Sequence, residues 1–227
     1  MLVEDGNELT MPKWIKFLIA LLLLPFCIGS AQALWKVIQA TGASDTFWVA
    51  FFSGVMCWVV IYLLLPKPMW LYVVGHEMTH ALWTWLFGGR VKKMKVTSKG
   101  GHVIVSKSNF IISLAPYFFP FYAFLLVVGF GTGHLIWNWS KYWVVFHLFL
   151  GMAYAFHVAL TVHVLRVEQS DITEHGYLFS GVIIFLGNVL LPLICLPILT
   201  ERVSLFTAIG WCFRLTGDVF VKLSRLI

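Results

Sequence analysis

Long apolar runs separated by short polar breaks set the pattern of this chain. The first run, Trp14 to Leu34, follows Lys13 and Lys16 and is long enough to cross a bilayer. It contains Ala31-Gln32-Ala33, which resembles a signal-peptidase site. An uncleaved span is the preferred reading, and cleavage after Ala33 the alternative. The residues before it, Met1 to Pro12, are polar and read as frayed. A second span is expected at Thr46 to Leu65, ended by Pro66-Lys67-Pro68, since proline cannot continue a regular helical ladder. The third helix, Met69 to Phe87, is stopped by Gly88-Gly89, a C-cap signal. Two β-prone runs, residues 91–97 and 102–106, flank Ser98-Lys99-Gly100-Gly101 and predict a hairpin. Asn109 to Gly131 predicts a further span, kinked by Pro116 and Pro120. Trp143 to Leu165 and Tyr177 to Leu199 follow, joined by the polar loop Arg166 to Gly176. The tail, Glu201 to Ile227, is apolar but interrupted by Arg214, Asp218, Lys222 and Arg225. It reads as a surface-lying helix or a last short span.

These elements predict an all-α polytopic membrane protein of about six transmembrane helices, with a small β-hairpin after the third. Residues 1–68 would form N-terminal membrane segments, 69–199 a core, and 200–227 a C-terminal amphipathic or short membrane helix. Composition agrees, with 60% hydrophobic and 11% charged residues, against about 25% charged in soluble domains. The net charge of +6 matters less than its placement. Lys and Arg gather between Arg90 and Lys107, which reads as a cytoplasmic loop and not as a nucleic-acid surface. With that loop inside, the third helix runs inward, the second outward and the first inward, leaving Lys13 and Lys16 outside, against the positive-inside rule. A cleaved first segment, or a third helix that does not fully cross, removes the conflict. The four cysteines stand singly with no C-x-x-C pair, so neither a zinc knuckle nor a disulfide framework is suggested.

The chemistry gathers on the third helix. His76-Glu77-Met78-Thr79-His80 sets two imidazoles one turn apart on one face, where both can hold a single metal ion. Glu77 is rotated about 100° from His76, a poor third ligand but well placed as a general base towards water. Ionisable groups are costly in hydrocarbon, so three together argue for function. A catalytic zinc takes three protein ligands and keeps one position open. Candidates for the third are Asp171, His175, Glu174, His157, His163, His147, Glu168 and His102. Asp171 has the best local logic, on a loop at the membrane side of the basic hairpin. It also fits a capping box, Asp171-Ile172-Thr173-Glu174, which needs no metal. His157 and His163 lie six apart, off a shared helix face, and suit hydrogen-bonded helix histidines. Asn188 suits an oxyanion donor, or the commoner interhelical hydrogen bond.

Gly75-His76-Glu77-Met78-Thr79-His80-Ala81-Leu82, followed by Gly88-Gly89 and a basic hairpin, resembles the site-2 protease family of intramembrane zinc metallopeptidases. The likeness is to compact bacterial members without a PDZ domain, over roughly residues 69–199. The resemblance implies Zn2+ held by His76 and His80, with Glu77 activating water; the third ligand is assigned to Asp171 on its local logic, with His175 the alternative. It also implies a transmembrane protein substrate cut near the cytoplasmic face, a multi-pass protein of the bacterial inner membrane, and the lipid bilayer as surroundings, with no nucleic acid. The family's second motif, Asn-x-x-Pro-x-x-x-x-Asp-Gly, does not occur; Ser170-Asp171-Ile172 with Gly176 is a partial substitute. A non-catalytic scaffold or assembly subunit with the same fold is the alternative function. An ion or metal transporter is a third.

Overall fold

The computed structural model describes residues 2–3, 11–97 and 100–225. In chain order these form β1 (Leu2–Val3), α1 (Lys13–Thr41), α2 (Asp45–Leu64), α3 (Met69–Leu86), β2 (Val91–Thr97), β3 (Gly100–Val105), α4 (Phe110–Leu114), α5 (Phe121–Trp137), α6 (Trp143–Val164), α7 (Ser170–Thr173), α8 (Tyr177–Thr200) and α9 (Leu205–Ser224). Most of the expected polar N-terminal stretch, and Ser98-Lys99 of the hairpin turn, lie outside the described residues. The chain divides into two compact units. One comprises Met1–Leu9 with Thr46–Gln169, the other Thr10–Asp45 with Ser170–Ile227.

In the first unit, α2 and α6 meet through glycines. A Cβ at Gly54 would run into the Leu148 carbonyl, and one at Gly151 into the Phe51 carbonyl. Small residues at such a crossing let backbones approach inside a membrane, where apolar burial drives little association. Next to it Trp58, Tyr72, Phe156 and Leu160 form a core shared by α2, α3 and α6. The Trp58 and Phe156 rings pack edge-on with centroids 4.9 Å apart, a geometry worth about 1 kcal/mol beyond burial.

Helix α3 ends as its glycines predict. Gly88 takes a positive φ of 71°; its N–H bonds the Trp85 carbonyl at 2.9 Å and that of Gly89 the Thr84 carbonyl at 2.8 Å. This pair of reversed bonds satisfies carbonyls that the helix end would orphan. The chain then turns into β2 and β3, which pair antiparallel from Val91↔Val105 to Thr97↔Gly100 and lie along α3. Strand β1 adds to the other edge of β3 in parallel, Leu2 opposite Ile104 and Val3 opposite Val105.

The kink expected from Pro116 and Pro120 is a full break. α4 and the 3-10 turn Ala115–Tyr117 meet α5 at 86°. Asn109 caps α4, its side-chain oxygen accepting from the N–H of both Ile111 and Ile112 at 2.9 Å. α5 runs to Trp137, six residues beyond the expected end.

In the second unit α1 packs against α8 and α9. It continues through Ala31–Ala33, with Ala33 fully buried, to Thr41. α9 runs antiparallel beside it: Lys36 Nζ stands 5.8 Å from the Trp211 ring centroid, and Gly29 gives room to Thr216. The tail is therefore a helix of this bundle.

Among the described residues, four helices are long and apolar enough to cross a membrane, or five if the bent α4–α5 pair counts as one span. With the hairpin, this is the expected all-α membrane architecture. α3 is not among those candidate spans.

Candidate metal centre

Two histidines of α3 converge on one point. His80 is fully buried, and its Nε2 lies 3.2 Å from His76 Nε2. Two nitrogens bound tetrahedrally to one zinc, each about 2.05 Å away, stand roughly 3.3 Å apart. The observed pair fits that geometry. The orientation of His80 is fixed from behind, by Nδ1–H donating to the Ile112 carbonyl at 2.8 Å. That bond puts the proton on Nδ1 and leaves the Nε2 lone pair facing His76, as metal-binding histidines require.

The Ile112 carbonyl is available because of Pro116. In a continuing helix the residue four positions on would donate to it, and proline has no N–H. Capping by Asn109 sets the turn and Pro116 frees its oxygen, so the proline contributes a bond as well as a bend. Nothing in the spacing of His76 and His80 pointed to it. No local signal marks it, because Ile112 lies 32 residues from His80.

Glu77 is 5% exposed and lies under the hairpin. A Cβ built on Gly101 would come within 2.8 Å of Glu77 Cγ and 2.9 Å of its Oε1. Gly100-Gly101 is thus two features: Gly100 has a φ of 148° at the turn, and Gly101 is a strand residue whose missing side chain admits the glutamate. The edge of the His76 ring meets the Tyr117 ring at a centroid distance of 5.4 Å.

The other candidates have differing surroundings. His157, on α6, lines a cavity of about 20 Å³ together with Tyr72, His76, Thr79 and Tyr122, room for a single water. His147 sits at the other end of α6 among Phe47, Trp143 and Phe146. Glu168 and Glu174 are exposed, and His102 and His163 are half-buried. Asn188 donates to the Ile184 carbonyl of its own helix at 2.9 Å. Asp171 belongs to the second unit, buried at 6% exposure. It lies inside the single turn α7 instead of at the N-cap that a capping box requires. His175, four residues on, has Nδ1 engaged by Lys16 Nζ at 2.7 Å.

A helical membrane protein with a paired-histidine helix, a buried glutamate between the pair and a hairpin laid over it has the layout of a membrane metallopeptidase. The chain belongs to the Peptidase M50B-like family, whose model matches residues 49–203, and this is the site-2 protease assignment that the motif implied. No curated protein and no solved structure gives a significant match.

Proposed function

We propose that the protein is a zinc-dependent endopeptidase that hydrolyses a peptide bond in a membrane-embedded protein substrate. His76, His80 and Asp171 hold the ion, and Glu77 is the general base. Each of the three ligands offers one donor atom of a type that zinc accepts. The observation that carries the reading is the His76–His80 pair, with Nε2 atoms 3.2 Å apart and the His80 ring held by Ile112. Zinc supplies Lewis acidity, which makes water acidic near neutral pH and polarises a carbonyl oxygen.

The chain's own groups do the rest. Glu77, held out of bulk water beneath Gly101, takes the proton of the attacking water and returns it to the leaving nitrogen. Its burial keeps that proton from bulk solvent between the two transfers. The substrate helix must be unwound first, because a helical amide is shielded by its own hydrogen bonds. The hairpin lies over the base and the turn at Pro116 beside His76, and these are the elements that would hold the substrate extended. The natural setting is the inner membrane of a bacterium.

Glu77→Gln is expected to keep zinc stoichiometry and folding while cleavage falls about 1,000-fold. Cleavage by that variant at the wild-type rate would remove Glu77 from its role. A scaffold that retains the fold without hydrolysis is the second reading, favoured by the missing Asn-x-x-Pro-x-x-x-x-Asp-Gly string. It requires zinc-loaded wild type to be inactive and indifferent to Glu77→Gln.

A further inference from the structure

Two lysines at the start of α1 are spent on one short loop. Lys13 Nζ donates to the Thr173 carbonyl at 3.2 Å, and Lys16 Nζ to His175 Nδ1 at 2.7 Å. Lys16 and His175 are each 4% exposed. Burying an ammonium is costly unless it is matched by partners, so Lys16 at this position is set by what it touches.

The bond also fixes the histidine. An ammonium has only donors, so His175 Nδ1 accepts, and the neutral ring carries its proton on Nε2. Neither nitrogen then offers a lone pair to a metal. Burial holds the His175 pKa down at about 4, helped by the charges of Lys16 and Lys13 and opposed by Asp171. The ring therefore stays neutral at physiological pH.

Asp171 lies two residues before Thr173 and four before His175. One helical turn does not hold itself in place. This one is tied from two neighbours in its unit: Ser180 Oγ of α8 donates to the Ile172 carbonyl at 3.1 Å, and α1 supplies both lysine bonds. Three of the four residues after Asp171 are thus gripped by side chains from other helices.

We infer that Lys16, acting through His175 and seconded by Lys13, is a positioning residue for Asp171. Helix α1, which precedes the stretch matched by the family, thereby acts on the proposed ligand of its own unit. The inference rests on Asp171 being a ligand, as proposed above.

The test measures zinc affinity of the full chain in nanodiscs by competition with a chromophoric chelator, alongside thermal unfolding of the metal-free protein. Lys16→Met is expected to bind zinc about 10- to 100-fold more weakly, the usual effect of losing an outer-shell partner. Lys16→Arg keeps a donor and is expected to recover most of that loss. In Lys16→Met/His175→Phe the defect should not exceed that of Lys16→Met alone, because the two act as one unit. If Lys16→Met does not fold, His175→Gln, whose amide oxygen accepts from Lys16, carries the test and is expected within about threefold of wild type, while His175→Phe loses about 10-fold or more. Wild-type affinity in Lys16→Met or His175→Phe, with affinity lost in Asp171→Ala, overturns this inference and leaves the zinc reading standing. Undiminished affinity in Asp171→Ala overturns both.

Discussion

Helices α3 and α6 each bury histidines, and they treat them in opposite ways. On α3 the His80 ring is held by a backbone carbonyl at 2.8 Å and points its other nitrogen at His76. On α6 the His147 ring is 7% exposed, and among the described residues neither of its buried nitrogens has a hydrogen-bond partner. Its neighbours are rings: Phe47 at 4.9 Å edge-on, Phe146 at 5.4 Å and Trp143 at 5.6 Å. Residue type and burial match, yet one imidazole is oriented for ligation and the other is packed like an aromatic side chain. A ligand histidine is marked by what holds its far nitrogen.

The comparison can be tested at three points. The largest effect is expected at a histidine with a third kind of partner, His175 with its lysine. Its folded-state pKa of about 4 lies below the ordinary value of about 6.5. The unfolded chain therefore takes up a proton first as pH falls. The stability associated with this group is intact above pH 6.5, declines between 6.5 and 4, and is flat below. The loss is at most about 3 kcal/mol. Unfolding of the metal-free protein followed between pH 7.5 and 4.5 checks it. In Lys16→Met the acid loss should shrink, because one charge opposing protonation is gone; an unchanged acid limb would show that the ammonium does not control the ring.

The second point is the carbonyl behind His80. Pro116→Ala restores an N–H that competes for the Ile112 oxygen. Zinc affinity is expected to fall about 10-fold, with little change in unfolding temperature. Equal affinity would mean that the Ile112 bond does not orient the ring. The smallest effect is expected at His147. Replacing it with Phe keeps a ring among rings and removes two unsatisfied buried nitrogens, so the protein should gain about 1 kcal/mol of stability and keep its zinc. A loss of zinc there would erase the distinction between the two helices.

Much of the architecture was legible because its signals are local. A 20-residue apolar run, a Gly-Gly stop after α3 and the one-turn spacing of His76 and His80 each lie within a few positions of the chain. What stayed hidden depends on residues far apart in sequence. His80 and Ile112 are 32 residues apart, and Lys16 and His175 are 159 apart. Pro116 was readable as a kink, but not as the residue that frees a carbonyl for a ring on another helix. Gly101 was readable as a turn residue, while its use is to make room for Glu77. Lys13 and Lys16 were readable as charges flanking a span, but not as donors committed to a backbone carbonyl and a ring nitrogen 160 and 159 residues away.

The paired glycines between α2 and α6 carry a different consequence. That junction is main chain against main chain, so its fit depends on two hydrogens standing where every other amino acid carries carbon. Mutational drift can redecorate the lipid-facing flanks of both helices at little cost. Positions 54 and 151 are closed to it, since even one methyl group would act as a wedge beneath the platform on which the histidine helix rests.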